Sequence, residues 1–407
     1  MSRLFLFCCI YCFCFSGGVL FAEEFDGDLM FDDLHFFEEM SSQKKANGPD
    51  VSMKINFGLS KLYHRKTETA GIHINLSDRY DLKDFGFLDW SGNIEVNRTK
   101  GVSIEKSTLN KLLLQNSAGN LSWQVGKFRI GWGEIEGGQV LDVINSAPVS
   151  GVTGAGSDDL PGQFFLSAEM FSNTNTFSGF IGLNPDSSHV KSSQVSGNNT
   201  EYGFRATQPI NRGQYSLYLA RLTPQFGVVD RATLTSAARP YRTVGLSAHR
   251  AAGAALLEVD LAYKTDLLRA SNSELTPHDR FDLALGLEYA VSNLTQLNTS
   301  FTAKRWLNQE TSYFDTGIGG PVAASQTNAS YLIGLTSSGF DGKLSLSGYF
   351  GKETDASSQF MRFGAKYFLS DKLNIKTNYT RINASESSML SPRDGTQNWS
   401  ISTEFFF

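Results

Sequence analysis

From about residue 51 to the last residue, apolar side chains recur at every second position in segments of about ten residues. Val51, Met53, Ile55, Phe57 and Leu59 alternate with Ser52, Lys54, Asn56, Gly58 and Ser60. Phe281, Leu283, Leu285, Leu287 and Tyr289 alternate with Asp282, Ala284, Gly286, Glu288 and Ala290. The chain stops on the same pattern, with Trp399, Ile401, Phe405 and Phe407 on one side and Asn398, Ser400, Ser402 and Glu404 on the other. Period two is the mark of a strand with one apolar and one wet face. Strands of soluble sandwiches average about 5–6 residues, whereas ten-residue alternation is what a membrane-crossing β-barrel requires.

The links between segments separate the two architectures further. Short ones, such as 117–120, 172–175, 210–213 and 250–253, take turns with long ones near 132–161, 184–200, 224–240, 266–278, 307–327, 352–358 and 384–396. Tight turns on one side and long loops on the other are expected of outer-membrane barrels. The expectation is a single all-β unit, a transmembrane antiparallel up-and-down barrel of about 18 strands with 16 as the alternative count, spanning 51–407. Its apolar face then touches lipid. Trp90 and Tyr289 fall at the periplasmic rim, and Tyr263, Trp306 and Trp399 at external ends, as two aromatic girdles would require.

What precedes the barrel is different in kind. Residues 1–22 hold one early Arg3, an apolar run and then small residues, the pattern of a secretory signal peptide with a cut after Ala22. All four cysteines lie within it, so the exported chain carries no disulfide. Residues 23–50 form a periplasmic arm whose 23–40 stretch has eight acids and no Lys or Arg; Phe25, Leu29, Phe36 and Met40 recur at helical spacing. The net charge of −5 gives no basic footprint for nucleic acid.

The least generic stretch is 125–145, with Gly126, Lys127, Trp132, Gly133, Glu134, Asp142 and Asn145 in a V-G-K, W-G-E, D-x-x-N order. It resembles an uncharacterised family of Gram-negative porin-like outer-membrane proteins; Ser146-Ala-Pro148 stands where that family usually continues directly with Pro. The resemblance implies an outer-membrane location. Some relatives are thought to work beside inner-membrane exporters of hydrophobic compounds, which makes such an exporter a partner by resemblance alone. An aromatic last residue also resembles the C-terminal signature read by the barrel assembly machinery, which would assign that role to Phe405 and Phe407.

The 132–161 link carries Glu134, Glu136, Asp142, Asp158 and Asp159, and no Lys or Arg, yet it also holds Val140, Leu141, Val143, Ile144, Val149 and Val152. A link this long and apolar needs something to pack on. Folding into the lumen would supply it and narrow a pore; packing over neighbouring external loops is the alternative. Before it, the apolar parity shifts from Leu121, Trp123 and Val125 to Phe128, Ile130 and Trp132. A bulge at Gly126 would produce the shift and turn Lys127 and Arg129 into the lumen. Elsewhere the inward charges segregate, with Glu258, Asp260, Asp282 and Glu288 on one side and Lys304, Lys343, Arg362, Lys366 and Lys376 on the other. Such a field sorts solutes in a wet pore; local pairing that merely keeps the lumen wet is the plainer reading.

The six histidines show no metal spacing, and the glycine-rich 151–159 stretch lacks a P-loop lysine, so neither an enzyme nor a cofactor is expected. The functional expectation is a porin-like channel for passive passage of small solutes, constricted by Glu134, Glu136 and Asp142 opposite Lys127, Arg129, Lys304, Lys343, Arg362 and Lys366. Three acids against six bases tilt it weakly towards anionic or zwitterionic solutes. The alternative is a plugged or structural barrel that partners an inner-membrane exporter.

Overall fold

A computed structural model describes residues 50–62, 65–99, 102–135, 140–141, 144, 162–182, 194–195, 200–224, 228–229, 236–270, 275–307, 313–317, 320–324, 326–354, 358–384 and 394–407. The expected signal peptide, the expected acidic arm except Asp50, and Glu136, Asp142, Asp158 and Asp159 lie outside the described residues.

Eighteen antiparallel strands close into one barrel. They are β1 (Asp50–Leu62), β2 (Arg65–Asp81), β3 (Phe87–Thr99), β4 (Val102–Ala118), β5 (Leu121–Phe128) and β6 (Gln163–Ser172). Then come β7 (Asn175–Gly182), β8 (Glu201–Ile210), β9 (Gly213–Leu222), β10 (Tyr241–Ala252), β11 (Ala255–Ala270) and β12 (Leu275–Ser292). The last six are β13 (Thr295–Trp306), β14 (Thr327–Gly339), β15 (Leu344–Glu353), β16 (Gln359–Ser370), β17 (Leu373–Asn383) and β18 (Gln397–Phe406). Each strand pairs with its sequence neighbour, and β1 pairs with β18, with Met53 opposite Phe405 and Phe57 opposite Ile401. Closure removes every sheet edge, which a span through lipid demands because hydrocarbon offers no partner to a bare N–H or C=O. A barrel of this strand number leaves room for an aqueous channel.

The outward face is apolar along the strands: Phe57, Ile72, Phe164, Leu217, Val244, Leu257, Leu285, Ile333 and Phe363 are all exposed. Tyr289 and Trp399 are exposed too, as girdle residues should be. Trp306 departs from expectation: it is 5% exposed and faces inward.

Alternation of short and long links holds from β4 onward, but the first links differ. β1–β2 and β3–β4 are each joined across two residues at the external end. The expected 266–278 link shrinks to 271–274, because β11 runs through a bulge between Lys264 and Leu267 and both strands extend beyond the barrel wall. Two external links are tied together by hydrogen bonds: Val228–Val229 and Ser236–Ala238 of the β9–β10 link and Gln194–Val195 of the β7–β8 link form a small sheet. A hairpin, Tyr313–Gly317 with Gly320–Ala324, stands in the β13–β14 link and touches the end of β11 through Phe314 and Ala270.

Candidate functional site

The site lies on the lumen wall formed by β5 to β13. Period two sends Gln214, Ser216, Tyr218 and Ala220 of β9 inward, along with Thr243, Gly245, Ser247 and His249 of β10 and Asp260 and Ala262 of β11. Against these inward positions pack Trp132, Ile135, Val140, Leu141 and Ile144 from the β5–β6 link, each at most 5% exposed. Trp132 meets Phe180 at 5.2 Å and Tyr218 at 5.1 Å between ring centroids. Phe128 and Phe165 extend the cluster at 5.6 Å. Buried aromatic groups of this kind hold by area and by edge-to-face geometry.

Glycine makes the approach feasible. Gly133 takes φ +87°, a conformation that disfavours a side chain, and a Cβ there would stand 2.7 Å from Asp260 Oδ2. A Cβ on Gly245 would collide with the Leu141 side chain.

Polar groups complete the attachment. The Glu134 carboxylate accepts from Gln214 Nε2 at 3.0 Å and from the Ser247 hydroxyl at 3.3 Å, and its second oxygen lies 2.7 Å from His249 Nδ1. The Asp260 carboxylate accepts from the backbone N–H groups of Glu134 and Ile135, at 3.1 and 3.3 Å. Asp260 therefore satisfies backbone donors that the link would otherwise bury unpaired. The link's first residues are thus bonded to three consecutive strands of the wall.

Above this point is a buried ionic cluster. Asp282 is fully buried and accepts from Lys264 Nζ at 2.7 Å and from Arg280 Nε at 2.7 Å and its terminal nitrogen at 2.9 Å. Two guanidinium groups lie over the ring of Trp306, Arg269 at 4.5 Å and Arg280 at 5.0 Å from its centroid. Stacked cation–π contacts are strongest where water is excluded. Nearer the external end, buried Glu201 accepts from Gln163 Nε2 at 2.5 Å and from the Thr223 N–H at 2.7 Å.

The expected site residues separate into groups. Glu134 is at the wall as described. Lys304 stands inward, opposite Asp282 in the ladder. Arg362 donates to Asn378 Oδ1 at 3.1 Å, and Lys366 stands opposite Lys376 on the far wall. Arg129 lies just past β5 and is half-buried.

Two bases do not belong to the lumen. No bulge forms at Gly126: β5 stays in unbroken register with both β4 and β6, although Gly126 has φ +135°. Lys127 accordingly stands between Leu112 and Phe164 on the outward face, while Phe128 is buried inside. The parity shift arises because the apolar residues after Gly126 pack on the link-covered wall rather than on lipid. Lys343 is exposed in the β14–β15 turn, where Phe340, Asp341 and Gly342 all take positive φ and consume the chain's reversal before β15 begins.

The acids expected to oppose a basic wall are also engaged locally. Asp260 holds the link, Asp282 pairs with Lys264 and Arg280, and Glu288 accepts from Gln296 Nε2 at 3.0 Å. Sequence reasoning missed the roles of His249, Gln214 and Asp260. Their only signal was inward parity beside a link that had to pack on something. Among the described residues no group of three His, Cys, Asp or Glu side chains is placed to hold a metal ion.

No protein-family model matches the chain, and no curated protein matches it in sequence. The fold does match solved Gram-negative outer-membrane porins. Pseudomonas aeruginosa OccK2 (OpdF), solved in complex with glucuronate, is similar at a TM-score of 0.55 and 11% identity, covering 90% of this chain and 99% of that one. OccK1 (OpdK) of the same organism gives 0.55 at 11% identity over 88% and 98% of the two chains. OccD3 (OpdP) gives 0.51 at 10% identity over 89% and 92%. Identity this low speaks to the fold alone. A closed antiparallel barrel with an apolar outward face is the architecture of barrels that span an outer membrane.

Proposed function

We propose that this barrel is a channel for passive passage of small solutes across the outer membrane, narrowed by the 132–161 link and preferring anionic or zwitterionic solutes. The observation that carries the reading is the bonding of Glu134 to Gln214, Ser247 and His249 at inward positions of β9 and β10. Together with buried Val140, Leu141 and Ile144, this draws the start of the link onto the lumen wall. A link fixed there occupies cross-section that side chains of an 18-strand wall would otherwise leave to water.

The solute preference is supported by the inward bases Lys304, Arg362, Lys366 and Lys376. Cross-strand Lys366 and Lys376 are like charges directly opposite each other, an arrangement that favours an anion nearby. Glu136 and Asp142 remain part of the proposed ring. The glucuronate of OccK2 is a carboxylate-bearing sugar, and a solute of that class suits these bases.

Single-channel recording of purified protein in a planar bilayer tests the reading. Stepwise conductance is expected, with faster uptake of glucuronate than of a neutral sugar of equal size in liposome swelling. A silent bilayer would overturn the channel and favour the plugged barrel that partners an inner-membrane exporter.

A further inference from the structure

Among the described residues, all but one of the bases at outward strand positions stand at one end of the barrel. Arg98, Arg221, Arg242, Arg305 and Lys352 each stand second from the external end of a strand, and Arg381 stands third. Their ladder partners fix the face. Arg98 is flanked two residues back by exposed Val96; Arg221 is opposite exposed Tyr202; and Arg305 is opposite exposed Phe281. Lys352 is opposite Tyr331, one step from exposed Ile333, and Arg381 follows Tyr379, which stands opposite exposed Trp399. Lys127, already placed on this face, adds a further base at the same end.

Acids do not balance them. The outward acids at this end, among the described residues, are Glu68, Glu105 and Asp279, and Asp279 accepts the Tyr263 hydroxyl at 2.6 Å. Asp266, at the β11 bulge, is 4.0 Å from Arg239. At the turn end the outward strand positions hold a single described base, Arg250. The bias is therefore between the two leaflets and not a property of the whole surface.

Two features point to an anion at headgroup depth. The bases sit level with, or one step beyond, the aromatic side chains that mark the lipid–water interface: Tyr202, Phe281, Tyr331, Tyr379 and Trp399. Arg221 and Arg242 are also directly opposite in the ladder, both facing outward. Like charges so placed repel, which an anion nearby would relieve, and Arg221 Nη1 also donates to the Thr200 carbonyl oxygen at 3.3 Å.

We infer that this belt binds the phosphate groups of a glycolipid in the outer leaflet, with guanidinium groups as bidentate donors to phosphate oxygens. The inference rests on the outer-membrane location and not on conduction, so a barrel that fails to conduct leaves it intact.

The test is native mass spectrometry of the full chain in neutral detergent, titrated with bisphosphorylated lipid A and with the same lipid after enzymatic dephosphorylation. The phosphorylated form should bind at least roughly fivefold more tightly at low salt, and the difference should shrink as ionic strength rises. Combining Arg242→Ser, Arg305→Ser and Arg381→Ser should remove most of that preference, while the three Arg→Lys changes should keep part of it. Equal binding of the two lipids by the unaltered protein would overturn the inference, and so would an unchanged preference in the serine variant. Should the serine variant not fold, the lipid comparison on the unaltered protein and on the lysine variant decides.

Discussion

His249 Nδ1 lies 2.7 Å from Glu134 Oε2, joining residues 115 positions apart in the chain. One is on a membrane strand and the other in the first turn of a long link, so this contact ties the link to the barrel wall. Gln214 and Ser247 share the same carboxylate.

Replacing Glu134 by Ala should loosen that attachment. Three polar partners on the wall lose their acceptor, at a cost of about 1–3 kcal/mol for those left buried. Single-channel traces of the variant should show higher open-channel noise and a larger mean conductance. A trace indistinguishable from the unaltered protein would show that the link does not shape the pore.

Asp260→Ala should destabilise the fold more than Asp260→Asn. Alanine leaves the Glu134 and Ile135 N–H groups without an acceptor, costing roughly 1–3 kcal/mol each, whereas asparagine keeps one oxygen to accept them. The temperature at which the folded band is lost on unboiled gels measures the order, and equal loss by the two variants would contradict it.

Trp306 and Trp399 should answer differently to brominated lipid. Trp399 is 44% exposed on the outward face, while Trp306 is 5% exposed and in contact with Arg269 and Arg280. Single-tryptophan variants in brominated bilayers should show quenching for Trp399 and little for Trp306. Removing Trp306 by substitution with Ala should cost about 3–5 kcal/mol in urea unfolding, the range for a large buried aromatic.

Charge reversal separates lumen bases from the rest. Lys304→Glu with Arg362→Glu should move the reversal potential in a KCl gradient towards cations, because both face inward. Lys127→Glu with Lys343→Glu should leave it nearly unchanged, since one faces outward and the other sits in a turn. Equal shifts from the two pairs would show that selectivity follows total charge and not the lumen wall.

Much of this fold was legible in the sequence. Ten-residue segments at period two require two chemically distinct faces, and alternating short and long links require an up-and-down order. Those two features determine an antiparallel barrel of about this size, the lipid face of strands such as β12 and β18, and the side on which the long links gather. Tertiary structure alone decided what each apolar residue touches where a link covers the wall. Phe128, Trp132 and Trp306 carry the same local signal as a lipid-facing residue, because burial under a packed link and burial in hydrocarbon both remove apolar surface from water. Which one applies depends on contacts with Phe165, Tyr218 and Arg269, all distant in the chain. The same holds for Asp260, whose inward parity was readable but whose role as acceptor for the link's backbone exists only once β11 and the link are brought together.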